Sequence, residues 1–139
     1  MPACPSCLSS LAKFRWGNYN FKNIYSEQIP FYEVRCLETN QILWVKPTSP
    51  STLDELIIDL PISLDNNHQQ YIFKSDTRID TISFKYDIEK ESDSRCKNVI
   101  NIVNQELEKC TFEKYEFNSM YRSGYVNRYD CPFEFIIYI

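Results

Sequence analysis

Glycine is almost missing from this chain: Gly17 and Gly124 are the only two in 139 residues. A phosphate-cradling loop needs several positions free of side chains, so the P-loop and the dinucleotide fingerprint are excluded. Histidine is scarcer still. His68 stands alone, which removes HExxH zinc sites and relays built from paired imidazoles, and its polar setting in residues 65–70 reads as an exposed loop. Long apolar runs are missing too. A stretch such as residues 135–139 falls far short of the roughly 20 residues that cross a bilayer, so no membrane partner is expected. The start carries no basic leader followed by an apolar block, as a secretory signal would. Cytoplasmic or nuclear residence with reduced thiols is the resulting expectation. There are no internal repeats and no low-complexity tract.

What is present suffices for a core. A hydrophobic content of 43%, with 15% aromatics, supports one folded domain over residues 1–139, with residues 1–26 as a candidate N-terminal hairpin appendage. Charge is divided unevenly. Lys13, Arg15 and Lys22 give +3 up to Ser26 with no acid, while the remaining 12 basic and 19 acidic residues leave −7 for the rest. Phosphate contacts need clustered positive charge, so a nucleic-acid role would have to live in the opening segment.

Residues 12–16 and 19–22 alternate polar with aromatic side chains around Gly17-Asn18, which predicts a hairpin. Residues 31–37 and 42–45 predict a second antiparallel pair around residues 38–41. Thr52 with Glu55 forms a capping-box pattern, and Leu53, Leu56, Ile57 and Leu60 share one helical face before Pro61, which predicts a short helix. Residues 71–74 and 82–88 are patterned as paired strands. Cys96, Val99, Ile100, Val103, Leu107 and Cys110 recur at three or four, predicting an amphipathic helix over residues 94–110, with a strand at 99–103 as the alternative. Residues 112–117 and 133–139 read as strands, and an apolar final strand is expected to be paired. The predicted fold class is α+β: mostly antiparallel sheet with one short and one longer helix.

Six cysteines in a reducing compartment are ligands, nucleophiles or core. Cys96, Cys110 and Cys131 sit in apolar contexts and read as core. Cys4 and Cys7 have the spacing at which two thiolates meet one tetrahedral ion, and Cys36 follows the predicted hairpin, so zinc is a candidate cofactor on Cys4, Cys7 and Cys36. This order resembles a zinc ribbon lacking its fourth cysteine, because Leu37-Glu38-Thr39 follows Cys36 where the second CxxC would close. Set beside it is the reading of an unliganded terminus with no cofactor.

Residues 42–47, 52–56, 71–75 and 86–89, taken in the order strand, helix, strand, strand, resemble the ubiquitin-like β-grasp of the DIX domains of Dishevelled and Axin. The resemblance covers about half the chain. It implies a β-grasp-like middle and a module that associates head to tail by strand addition.

No nucleophile and base can be paired from the sequence. Asp54, Glu55 and Asp59 read as a solvated face, and the aromatic and cationic groups Tyr121, Arg122, Tyr125, Arg128 and Tyr129 as structural or protein-binding. The expected function is therefore a non-catalytic interaction module, an adaptor or assembly subunit, using strand edges and aromatic surface on a protein partner or a second copy of itself. The alternative is a small nucleic-acid-binding protein. In both readings the candidate binding residues are Lys13, Phe14, Arg15, Trp16, Tyr19 and Lys22, interleaving cations with rings.

Overall fold

In the computed structural model, which describes residues 11–20, 22–63, 65–91, 99–119 and 133–138, nine of eleven strands build two antiparallel-dominated sheets packed face to face, and the other two pair as a short ribbon. One three-residue 3-10 turn, Ser26–Gln28, is the only helical element among the described residues. The α+β expectation is therefore corrected to an all-β sandwich. A β-grasp-like middle does not form either, because the segment that would cross the sheet as a helix is itself strand.

The first sheet contains β1 (Leu11–Gly17), β6 (Leu56–Pro61), β10 (Tyr115–Ser119) and β11 (Phe133–Tyr138), in the order β10-β11-β1-β6. The second contains β3 (Glu33–Cys36), β4 (Ile42–Val45), β7 (His68–Lys74), β8 (Ile79–Glu91) and β9 (Val99–Cys110), in the order β4-β3-β7-β8-β9. A two-stranded ribbon of β2 (Ile24–Tyr25) and β5 (Thr52–Leu53) ties two connections together, and Ser26 and Ser51 exchange hydrogen bonds beside it.

Period-two alternation decides which side chains meet. Phe14 and Trp16 of β1, Leu56, Ile58 and Leu60 of β6, and Phe135 and Ile137 of β11 face inward and are buried. Val34 and Cys36 of β3, Tyr71 and Phe73 of β7, and Ile82 and Phe84 of β8 face them from the other sheet. Phe14 packs on Phe73 with ring centres 4.6 Å apart, and Phe84 on Phe135 at 5.5 Å. Two buried phenols cross the same gap: Tyr71 donates to the Pro61 carbonyl and Tyr86 to that of Ser63, each at 2.5 Å.

Three sequence-derived elements change. The predicted short helix is strand: Thr52 pairs with Tyr25, and Leu56, Ile58 and Leu60 alternate inward along β6. The predicted longer helix is β9 over its described part. Two bulges explain the misreading. Leu107 to Cys110, three steps along β9, spans the two steps of β8 from Phe84 to Ile82, and Val103 to Glu106 likewise spans Asp87 to Lys85. Each bulge stretches a spacing of two into three and so imitates a helical period. The opening hairpin is also replaced: β1 pairs with β6 antiparallel and β11 parallel, not with residues 19–22. The β3–β4 hairpin, the β7–β8 pair and the pairing of the last strand match expectation.

Three non-glycine residues adopt positive φ among those described, and all are asparagines: Asn23 at 56°, Asn40 at 59° and Asn104 at 54°. Asparagine tolerates the left-handed region better than other side chains. In a chain with two glycines it takes over the turns and the bulge where that conformation is required.

Candidate functional site

The residues singled out from the opening segment divide between two faces of β1. Phe14 and Trp16 are buried in the core. Lys13 and Arg15 lie on the outer face of the four-stranded sheet, where register sets Lys13 between Asp59 and Glu134. Arg15 reaches Glu55 at 2.8 Å and Glu134 at 3.4 Å. The excess positive charge of the opening segment thus meets acids of the same molecule. Tyr19 is exposed but stacks on Tyr138 with ring centres 4.5 Å apart, and Lys22 is exposed.

Cys36 is buried, its thiol 3.5 Å from Gln69 Oε1. Cys4, Cys7, Cys96 and Cys131 lie outside the described residues, as do Tyr121, Arg122, Tyr125, Arg128 and Tyr129. Among the described residues no group of three or more His, Cys, Asp or Glu side chains is placed to hold a metal ion. Burial, as the largest cause, raises the Cys110 thiol above its ordinary range, which keeps it protonated and unreactive.

One constellation escaped the sequence reading. His68 of β7 begins a strand instead of sitting in a loop, and its Nε2 lies 2.7 Å from Glu108 Oε1 and 3.1 Å from Ser83 Oγ. The β9 bulge places Glu108 there, as the extra residue between the Ser83 and Phe84 pairings. Serine, histidine and acid suggest a nucleophile relay, but the geometry is different. A relay needs the acid on one ring nitrogen and the serine on the other. Here both approach the same nitrogen, and Ser83 also donates to Glu108 at 3.4 Å. The cluster clasps three neighbouring strands and leaves the serine buried.

The described surface is most distinctive at the β3–β4 hairpin. Of nine exposed large hydrophobic residues, four fall between positions 32 and 45: Tyr32, Leu37, Ile42 at 49% exposure and Val45 at 59%. The β4 bulge explains part of this. Val34 pairs with Trp44 and Arg35 with Ile42, so Leu43 is the extra residue and Ile42 shares the outer face with Val45. In a regular strand residues three apart would point to opposite faces. Register extends the outer face from Val45 through Glu33 and Lys74 to Ile79, which is 60% exposed, and Tyr32 and Ile79 border a shallow cleft of about 380 Å³. The charges between these apolar groups are internally paired. Arg35 donates two hydrogen bonds of 3.1 Å to Glu33 and one of 2.7 Å to Asn40, and Lys74 stands 3.6 Å from Glu33. These hydrogen bonds, Arg35 first, hold the Glu33 carboxyl below its ordinary range. β4 is an edge strand with no charged side chain of its own.

Known proteins offer no further guide: no family model, characterised protein or solved structure matches the chain significantly. No helix among the described residues is long and apolar enough to cross a membrane.

Proposed function

We propose that this protein is a non-catalytic interaction module, an adaptor or assembly subunit, whose β3–β4 hairpin docks a protein partner or a second copy of the chain inside the cell, in cytoplasm or nucleus. The observation that carries the reading is the concentration of Tyr32, Leu37, Ile42 and Val45 around one edge strand. Uncharged, apolar strands at a sheet edge are surfaces that proteins ordinarily blunt, and β9, the opposite edge of the same sheet, carries Glu106, Glu108, Lys109 and two bulges. Docking at β4 would rest mainly on side chains, because its bulge interrupts a regular backbone ladder. The self-paired Glu33, Arg35 and Lys74 would supply orientation without a large desolvation cost.

The double variant Ile42→Lys, Val45→Lys tests this. Wild-type chain should retain an identifiable partner that rebinds when purified, or should self-associate in sedimentation, and the variant should weaken that binding at least tenfold. Ile57→Lys, a change at an exposed position on the other sheet, should leave it intact. Unchanged binding by the double variant, with its circular dichroism native, overturns the reading.

A further inference from the structure

We propose that the cleft at one end of the sandwich is a binding site for an aromatic group carrying a single carboxylate. The cleft has a volume of about 340 Å³, and Trp16 of β1, Ile137 of β11 and Phe112 of the β9–β10 connection contribute its apolar lining. Arg78 and Lys114 line it from two different connections. Trp16 and Ile137 show only their edges at its floor, and an open cleft of this size with an apolar floor and a few placed polar groups suits a small ligand.

The arginine is held in place from behind. Arg78 Nη2 lies 2.6 Å from Asp80 Oδ1 and 3.4 Å from the Thr111 carbonyl. Asp80, 7% exposed, is itself fixed by Thr111 Oγ1 at 2.8 Å, and that hydroxyl accepts the Thr81 amide at 2.9 Å. A guanidinium has five donor hydrogens. Two are spent on this scaffold, so Nε and Nη1 keep donors with no partner among the described residues. The Lys114 ammonium has none there either.

A buried acid that fixes one end of an arginine leaves the other end pre-oriented, and a planar donor fork matches a carboxylate. Rim charges balance, since Asp80 and Glu113 offset Arg78 and Lys114. Placement of donors, not a general positive field, is what selects the anion. The free acid at Glu113 disfavours a second negative group beside the first, which restricts the ligand to a monocarboxylate. Tyr138, stacked on Tyr19, completes the rim.

The carboxylate could belong to a free aromatic acid or to the C-terminus of a peptide ending in an aromatic residue. The test titrates the full ¹⁵N-labelled chain with phenylacetate, with phenylacetamide, and with a glycyl-phenylalanine peptide as acid and as amide, following the Trp16 indole resonance. Saturable shifts with both acids are expected, at least tenfold weaker with the neutral amides. Tighter binding of the peptide acid assigns the terminus; tighter binding of phenylacetate assigns the free acid. Arg78→Gln and Lys114→Gln should each weaken binding at least threefold. Because Arg78→Gln leaves Asp80 unpaired and could unfold the chain, Lys114→Gln, an exposed change, is the decisive variant. Equal binding of acids and amides, unchanged affinity in Lys114→Gln, or no saturable Trp16 shift at millimolar ligand overturns the proposal. Arg78 also borders the shallow cleft beside Tyr32 and Ile79, whereas Lys114 does not, so the Lys114→Gln and ligand outcomes are the ones that leave the β3–β4 reading untouched.

Discussion

Tyr71 and Tyr86 each bury a phenol in the core and donate its hydroxyl to a backbone carbonyl, and the Tyr86 hydroxyl also meets the Gln69 side chain. Burial is the main cause that raises both phenols well above the ordinary tyrosine range. The unfolded chain releases these protons near pH 10, and the folded chain keeps them to higher pH. Between those limits the unfolded state binds fewer protons, so stability is complete below about pH 10 and falls above it. The expected slope is about 1.4 kcal/mol per pH unit for each tyrosine. Urea midpoints measured from pH 9 to 11 would check this, and the Tyr71→Phe, Tyr86→Phe variant should flatten the decline. At neutral pH each substitution should cost about 1 to 3 kcal/mol, because a buried carbonyl loses its donor. Asn104 offers a second test at this scale. Its φ of 54° should make Asn104→Gly nearly neutral and Asn104→Val about 1 to 2 kcal/mol destabilising by thermal melting.

Most of the regular strands were legible. The β7–β8 pair and the final strand carry undisturbed alternation, and the β3–β4 hairpin carries a turn whose Asn40 marks the left-handed position. Two strands were misread as helices. β9 failed because its bulges convert a spacing of two into three, and a bulge depends on a partner strand that one segment cannot reveal. β6 failed because Leu53, Leu56, Ile57 and Leu60 make a helical stripe while Leu56, Ile58 and Leu60 make a strand alternation, and only the company of β1 decides. The docking surface was half visible: the strands were foreseen, but the bulge that puts Ile42 beside Val45 was not. The His68 clasp and the end cleft were invisible, because the clasp's members lie 15 and 40 residues from His68, the cleft's are drawn from positions between Trp16 and Tyr138, and both sets meet only through register.

At the scale of the whole molecule, the chain passes between the two sheets several times, and neither sheet is contiguous in sequence. Phe135 is the clearest measure of what that linkage is worth. It touches Phe84 across the gap and Phe117 along its own sheet, and it is buried completely. Phe135→Ala should lower stability by about 3 to 5 kcal/mol, seen as an earlier urea midpoint in both near- and far-ultraviolet circular dichroism. Loss confined to one sheet's signals would mean that the layers fold independently.

The parallel pairing of β1 with β11 joins Lys13 to Glu134 and Trp16 to Ile137, residues about 120 positions apart. A ribosome adding roughly 5 to 20 residues each second takes about 6 to 24 seconds to cover that distance. Once β6 has been made β1 can pair with it, but the strand that closes β1's other side is still to come. Phe14 and Trp16 must wait with their partners incomplete, so this sheet is finished only after nearly all the chain has been translated, and holding factors that bind exposed aromatic strands have their longest opportunity at its beginning.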